Sequence, residues 1–298
     1  MCNINILVKR KFRNVAPFLM AASSASYISN DDGDGIYCSY NNRVIKSIEK
    51  VDYTKFANQI NHSNFIITHQ RLSSSGFTAE FTHPFENNDF VFIHNGVMNS
   101  FIKETGTSDS FGFFQEFIKE FNSRNGNREH DIVSSLKKLF SRKDCGWYSI
   151  AIYDKIARRL YYFKDDRTRI SFFRHKGCLF ITTSDSNKKF LSLLGDVTKV
   201  DTIKRLEIKS NKIYRIFIEQ DYVRVLDIGQ LKEQVVETVE EENEEDVDSL
   251  SSKSTIKICD RCGDDELEDD ETHEENDELY CSSCWAQIQN EKNEGDEE

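Results

Sequence analysis

The chain has 298 residues, 38% hydrophobic and 12% aromatic, which allows a sizeable core in one large domain or two small ones. Its net charge of −12 hides a division: residues 237–298 hold 25 acidic and 4 basic side chains, a balance of −21, leaving 26 acidic and 35 basic, a balance of +9, for residues 1–236. The apolar start stops at Val8, Lys9, Arg10, Lys11 and Arg13 follow, and no later stretch is long and apolar enough to span a bilayer. A cytoplasmic protein with reduced thiols is therefore expected.

Alternating Ile4, Ile6 and Val8 predict an opening strand. Gly33 and Gly35 predict a turn, residues 36–40 a strand, and Asn41-Asn42 a hairpin turn before residues 43–45. A short helix is expected over 53–60, and buried strands over 65–69 and 90–94. Aromatics at 111, 113, 114, 117 and 121 predict a helix over 109–121, and apolar residues at 132, 133, 136, 139 and 140 a second over 131–140. Strands follow at 147–153, 160–164, 171–174 and 178–183, then a helix at 185–194. Residues 203–208, 212–218 and 222–226 read as a final antiparallel meander. Two batches of strands with two helices between them predict layered α+β packing.

Chemistry can begin at Cys2. If Met1 is trimmed, one residue carries both a thiol and an α-amine, whose reference pKa of about 7.7–8.0 suits it to take the thiol's proton. Further polar clusters stand at strand ends or in loops: Asp32-Gly33-Asp34-Gly35, His69-Gln70-Arg71, His83-Pro84-Phe85, His94-Asn95-Gly96 and Ser108-Asp109-Ser110. Singly, each has an ordinary reading. Arg71 can be a surface ion pair, His83 a loop histidine, Asn95-Gly96 a turn and Asp109 a helix cap.

In this order behind Met1-Cys2, the clusters resemble the class II glutamine amidotransferases, which are N-terminal-nucleophile hydrolases. Gly146-Trp147-Tyr148-Ser149-Ile150-Ala151 looks like the family's core strand and Thr183-Ser184-Asp185 like its strand-to-helix junction. The resemblance covers roughly residues 1–230. It implies a four-layer αββα sandwich that hydrolyses the side-chain amide of glutamine to glutamate and ammonia, without a cofactor for that step. Cys2 would be the nucleophile. The Asn95 side chain and the Gly96 N–H would receive the oxyanion. Arg71 would fork onto the substrate carboxylate, Asp109 would take its ammonium group, and His83 would line the site with no acid or base role. The chain departs from the family at Asn3, usually Gly, at Ser29-Asn30, usually Arg-Gly, and at Leu72, Ser74 and Ser75 in the loop after Arg71. A stand-alone enzyme handing ammonia to a partner enzyme in trans is expected. The alternatives are cleavage of another γ-glutamyl amide or peptide, and an inactive scaffold for protein interaction.

Residues 1–236 are read as the amidotransferase-like domain, 237–255 as an acidic disordered linker, 256–290 as a zinc-ribbon-like module and 291–298 as an acidic tail. Cys259-x-x-Cys262 and Cys281-x-x-Cys284, with 18 residues between the pairs, have the spacing of a structural four-thiolate zinc site. Free or redox-active thiols are the other reading. With 11 acidic residues in 264–278, the module is expected to bind protein rather than nucleic acid.

Overall fold

The computed structural model describes residues 2–10, 14–16, 19–20, 22–23, 30–72, 78–102, 108–141, 145–175, 178–183, 204–219, 222–231, 272–275, 278–281 and 285–286. The expected helix at 185–194, the acidic linker at 237–255 and Cys259, Cys262 and Cys284 lie outside these residues. The chain divides into two compact units, Met1–Glu233 and Gln234–Glu298.

Unit 1 is α+β, with two antiparallel sheets. Its strands are β1 (Asn3–Lys9), β2 (Asp34–Cys38), β3 (Arg43–Ser47), β4 (Phe65–Gln70), β5 (Phe85–Glu86), β6 (Phe90–Val97), β7 (Trp147–Asp154), β8 (Arg159–Lys164), β9 (Ser171–His175), β10 (Cys178–Thr182), β11 (Lys204–Leu206), β12 (Lys212–Glu219) and β13 (Tyr222–Gln230). The first sheet has the order β11-β9-β10-β1-β4-β2-β3 and the second β13-β12-β8-β7-β6-β5. Helices α1 (Ala57–His62), α2 (Asp109–Asn122) and α3 (Arg128–Phe140) complete the main elements.

Three hydrophobic layers separate four layers of structure. Between the sheets, Ile4, Ile6, Val8 and Ile67 of the first meet Val91, Ile93, Ala151 and Tyr162 of the second. On the outer face of the second sheet, α2 and α3 press Phe113, Phe117, Leu136 and Phe140 onto Phe90, Phe92 and Ile150. On the outer face of the first, helical residues Ala16, Leu19 and Ala22, with Tyr53 and Ile60, cover Leu7, Ile36 and Ile66. Strand period explains β1: Ile4, Ile6 and Val8 point one way and Leu7 the other, and both faces are covered. Burying each such side chain contributes about 1.5–3 kcal/mol. Helix α3 is started by Asn127, whose side-chain oxygen accepts from the N–H groups of Glu129 and His130.

The expected helix at 53–60 is a 3-10 turn over Tyr53–Phe56 running into α1. The expected meander is split between the sheets. β12 and β13 pair with each other in the second, whereas β11 pairs with β9 at the edge of the first. Leu206 and Ile208 both pack into the layer between the sheets, so the chain can pass from one sheet to the other there without exposing them. In unit 2, β14 (Thr272–Glu275) and β15 (Glu278–Cys281) form an antiparallel hairpin in which Thr272 stands opposite Cys281.

Candidate active site

Cys2 sits immediately before β1, which lies inside the first sheet between β10 and β4. Asn3 stands opposite Gln70, so the end of β4 delivers Arg71 and Leu72 beside the cysteine. The Leu72 N–H donates to the Cys2 sulfur at 3.4 Å, and the thiol is 3.5 Å from the Leu72 carbonyl it can donate to. Burial around the sulfur pushes the thiol pKa up; the Leu72 N–H and the Arg71 charge oppose that, and Asp109 reinforces it. An internal thiol held this way is a poor nucleophile without a base beside it.

The second sheet supplies the facing wall through β6. Asn95 donates its side-chain N–H to the Cys2 carbonyl at 2.9 Å, leaving that nitrogen a second hydrogen. The Asn95 side-chain carbonyl oxygen is buried and makes no hydrogen bond among the described residues. Gly96 adopts φ +148°, and a Cβ there would stand 2.1 Å from the Trp147 carbonyl and 2.7 Å from His94 Nε2. Only glycine fits that backbone beside β7.

The end of β4, braced by the turn ahead of β2, and the start of α2 bring in two opposite charges. Arg71 is 5% exposed, its N–H donates to the Gly33 carbonyl at 2.7 Å, and its carbonyl accepts from Asp32 N–H at 3.1 Å. Burial lowers the guanidinium pKa, whereas Cys2, Asp32 and Asp109 raise it, so both carboxylates act on this cation. Asp109, the first residue of α2, accepts from Met98 N–H at 2.6 Å and from Ser110 N–H at 2.7 Å, tying the helix to the end of β6. Cys2, Arg71, Asn95, Gly96 and Asp109 are thus gathered at one end of the two sheets.

His83 is 4% exposed and packed against the rings of His69 and Phe85, with centroids 4.3 and 4.4 Å away. Neither of its ring nitrogens has a hydrogen-bond partner among the described residues. Its carbonyl passes over Gly35, where a Cβ would stand 2.0 Å from the oxygen. His69 Nε2 donates to the His94 carbonyl, 3.2 Å away, and His94 Nδ1 meets the Ser110 hydroxyl at 2.8 Å. Burial holds His69 down at about 3, with Arg71 and His94 acting the same way against the His94 carbonyl. Burial holds His83 well below its ordinary value, reinforced by His69 and His94, and lowers His94, where Asp109 and the Trp147 carbonyl oppose it.

Sequence reasoning did not anticipate three supports. Thr183 donates to the Asn3 side-chain carbonyl at 2.5 Å and accepts from Ile4 N–H at 2.9 Å, which anchors the strand end that carries Cys2. The signal was available in the departure at Asn3. Asp34 is wholly buried and accepts from Tyr53 O–H, Gln70 Nε2, Val51 N–H and the Ser23 hydroxyl. Burial pushes its carboxyl pKa up against those four donors. The Leu72 main chain, the third support, has no side-chain signature.

Among the described residues no group of three or more His, Cys, Asp or Glu side chains is placed to hold a metal, and no helix is long and apolar enough to cross a membrane. Cys281 ends β15; the other three expected zinc ligands lie outside the described residues.

No sequence-family description and no curated protein sequence matches this chain. Solved structures do. The chain is similar to the glutamine phosphoribosylpyrophosphate amidotransferase from B. subtilis, complexed with ADP and GMP, at 14% identity and TM-score 0.52, over 76% of this chain and 49% of that one. It is similar to a second structure, described as the allosteric regulatory enzyme of purine biosynthesis, at 15% identity and TM-score 0.52, again over 76% and 49%. The chain therefore spans about half the length of these structures and shares the fold of the part it matches.

Proposed function

We propose that this chain is a class II glutamine amidotransferase of the N-terminal-nucleophile hydrolase type, using Cys2 as its nucleophile. The observation that carries the reading is the meeting of Cys2 with Asn95 of the opposite sheet, in a fold shared with a glutamine-dependent amidotransferase. Removal of Met1 would place an α-amine on Cys2 itself, supplying the base that the buried thiol lacks. The thiol proton passes to that amine as sulfur attacks the amide carbon. The Gly96 N–H and the second Asn95 hydrogen receive the oxyanion. Collapse breaks the C–N bond, the protonated amine gives its hydrogen to the leaving nitrogen, and ammonia departs from a γ-glutamyl thioester. Water then cleaves the thioester to glutamate. Arg71 pairs with the substrate carboxylate and Asp109 with its ammonium group. His83 is assigned no acid–base role, a reading supported by the burial that holds its pKa well below the ordinary value and so weakens it as a base.

The acceptor of the ammonia is assigned to a partner enzyme in trans, and the setting to the cytoplasm. A single structural zinc in unit 2 is supported by the hairpin that ends at Cys281, where the second Cys-x-x-Cys begins. Cys259, Cys262, Cys281 and Cys284 would hold it, and the module would serve as a protein-docking device. A second reading of the substrate follows from Leu72, which is 45% exposed beside the sulfur. An apolar side chain there can accept a leaving group larger than ammonia, as in other γ-glutamyl amides.

The test is glutamate release from glutamine by wild-type protein and by Cys2→Ala, alongside intact-mass measurement of Met1 removal. The variant should keep its fold and lose turnover. Wild-type turnover in the variant, or in protein that retains Met1, refutes the mechanism. A panel of γ-glutamyl amides decides between the two substrate readings.

A further inference from the structure

The Asp109 carboxylate is oriented by a buried chain that the proposed chemistry leaves unused. Its Oδ2 is fixed by the Met98 N–H and its Oδ1 by the Ser110 N–H, and the Ser110 hydroxyl reaches the same Oδ1 at 3.2 Å. An ionised carboxylate only accepts, so with the Nδ1–H tautomer of His94, whose Nε2 makes no hydrogen bond among the described residues, the hydroxyl's single hydrogen goes to Oδ1. The hydroxyl oxygen is then open to a donor, and His94 Nδ1 lies 2.8 Å from it. His94 is 1% exposed and Ser110 5%, so water does not set the direction of this hydroxyl.

The same ring also stands against the expected oxyanion turn, since a Cβ at Gly96 would come 2.7 Å from His94 Nε2. His69, bound to the His94 carbonyl, and the strand pairing of β6 with β7 hold the residue in place. One side chain therefore lies against Gly96 and, through the Ser110 hydroxyl, adjoins the Asp109 carboxylate.

We infer that His94 is a positioning residue for the substrate's α-ammonium group, acting through the Ser110 hydroxyl on Asp109. The inference rests on the reading of Asp109 given under Proposed function, and it adds a specificity device. The enzyme distinguishes γ-glutamyl compounds that carry a free α-amine from those that lack one by holding Oδ1 in a fixed direction. Losing the hydroxyl frees the carboxylate to rotate about its remaining main-chain ties. The ammonium contact then weakens, while the nucleophile and the oxyanion donors stay in place.

The experiment compares glutamine with glutaramate, which has the same amide and carboxylate but no α-amine, using Ser110→Ala, His94→Gln and His94→Asn. Ser110→Ala should raise KM for glutamine about tenfold, the effect of one hydrogen bond to a charged group, with kcat changed by less than about twofold. KM for glutaramate should stay at the wild-type value. His94→Gln should behave as Ser110→Ala does. His94→Asn, whose amide nitrogen can stand near the Nδ1 position, should bring KM for glutamine back toward wild type. An equal rise for both substrates, as a merely structural role would produce, overturns the inference, and so does an unchanged KM for glutamine in Ser110→Ala. In either case the reading of Cys2 survives if Cys2→Ala is inactive. Wild-type protein that cleaves no γ-glutamyl amide overturns both.

Discussion

Acidification should destabilise unit 1 through its buried histidines, and the size of the effect follows from where they sit. His69, His83 and His94 are 0%, 4% and 1% exposed, and burial keeps all three below their ordinary pKa. In the unfolded chain each titrates near 6.5. The stability tied to their neutral forms is complete above about pH 6.5 and is lost as pH falls, because the unfolded state takes up protons that the folded state refuses. His69, held at about 3, removes roughly 2 kcal/mol by pH 5 at 1.36 kcal/mol per unit. His83, held well below its ordinary value by burial, deepens this loss, and a total stability of about 5–15 kcal/mol makes losses of this kind measurable. His94 adds to this in the same direction. Asp34, with its carboxyl pKa raised, works the other way, since its protonated form suits the folded state. Urea unfolding followed by tryptophan fluorescence at pH 7.5, 6.5, 5.5 and 5.0 measures the fall. His83→Phe removes one titrating ring whose nitrogens have no partner among the described residues, and should flatten the slope below pH 6, by no more than the one-proton limit of about 1.4 kcal/mol per pH unit. A stability constant from pH 7.5 to 5.0, or a slope unchanged in His83→Phe, refutes the reasoning.

Gly96→Ala must displace the Trp147 carbonyl or the His94 ring, and should lower kcat about 10²–10³-fold while leaving Cys2 open to a glutamine-like electrophile, read by mass spectrometry. Glu129 accepts from Arg159 and Arg215 and joins α3 to the second sheet, so Glu129→Gln should cost about 1–2 kcal/mol in urea unfolding, and less at high salt. Native mass spectrometry should find one zinc per chain, and Cys259→Ser or Cys281→Ser should release it without changing glutamine turnover by unit 1.

Much of this arrangement was legible beforehand because its signals are local. Period-2 alternation marked β1, and aromatic spacing marked α2. The ordered clusters from Cys2 to Asp109 marked the residues that the fold gathers at one end of its sheets. What escaped was non-local. Nothing near residue 204 says that β11 will leave β12 for β9, because that choice depends on which layer has room for Leu206 and Ile208. The Asn3–Thr183 clamp joins positions at opposite ends of unit 1, and each residue alone reads as an ordinary polar neighbour of a strand. How deeply His83 is set also escaped, since a His-Pro pair carries no sign that its ring will pack against His69 and Phe85.

The interior position of β1 has a consequence for folding. One of its two flanking neighbours is β10, some 170 residues away along the chain, as the pairing of Asn5 with Thr182 shows. Until that pairing forms, the strand bearing Cys2 has one open flank and lacks its anchor at Thr183. Closing so distant a pair costs chain entropy before any contact repays it, so the surroundings of the sulfur are completed late and slowly rather than by local structure.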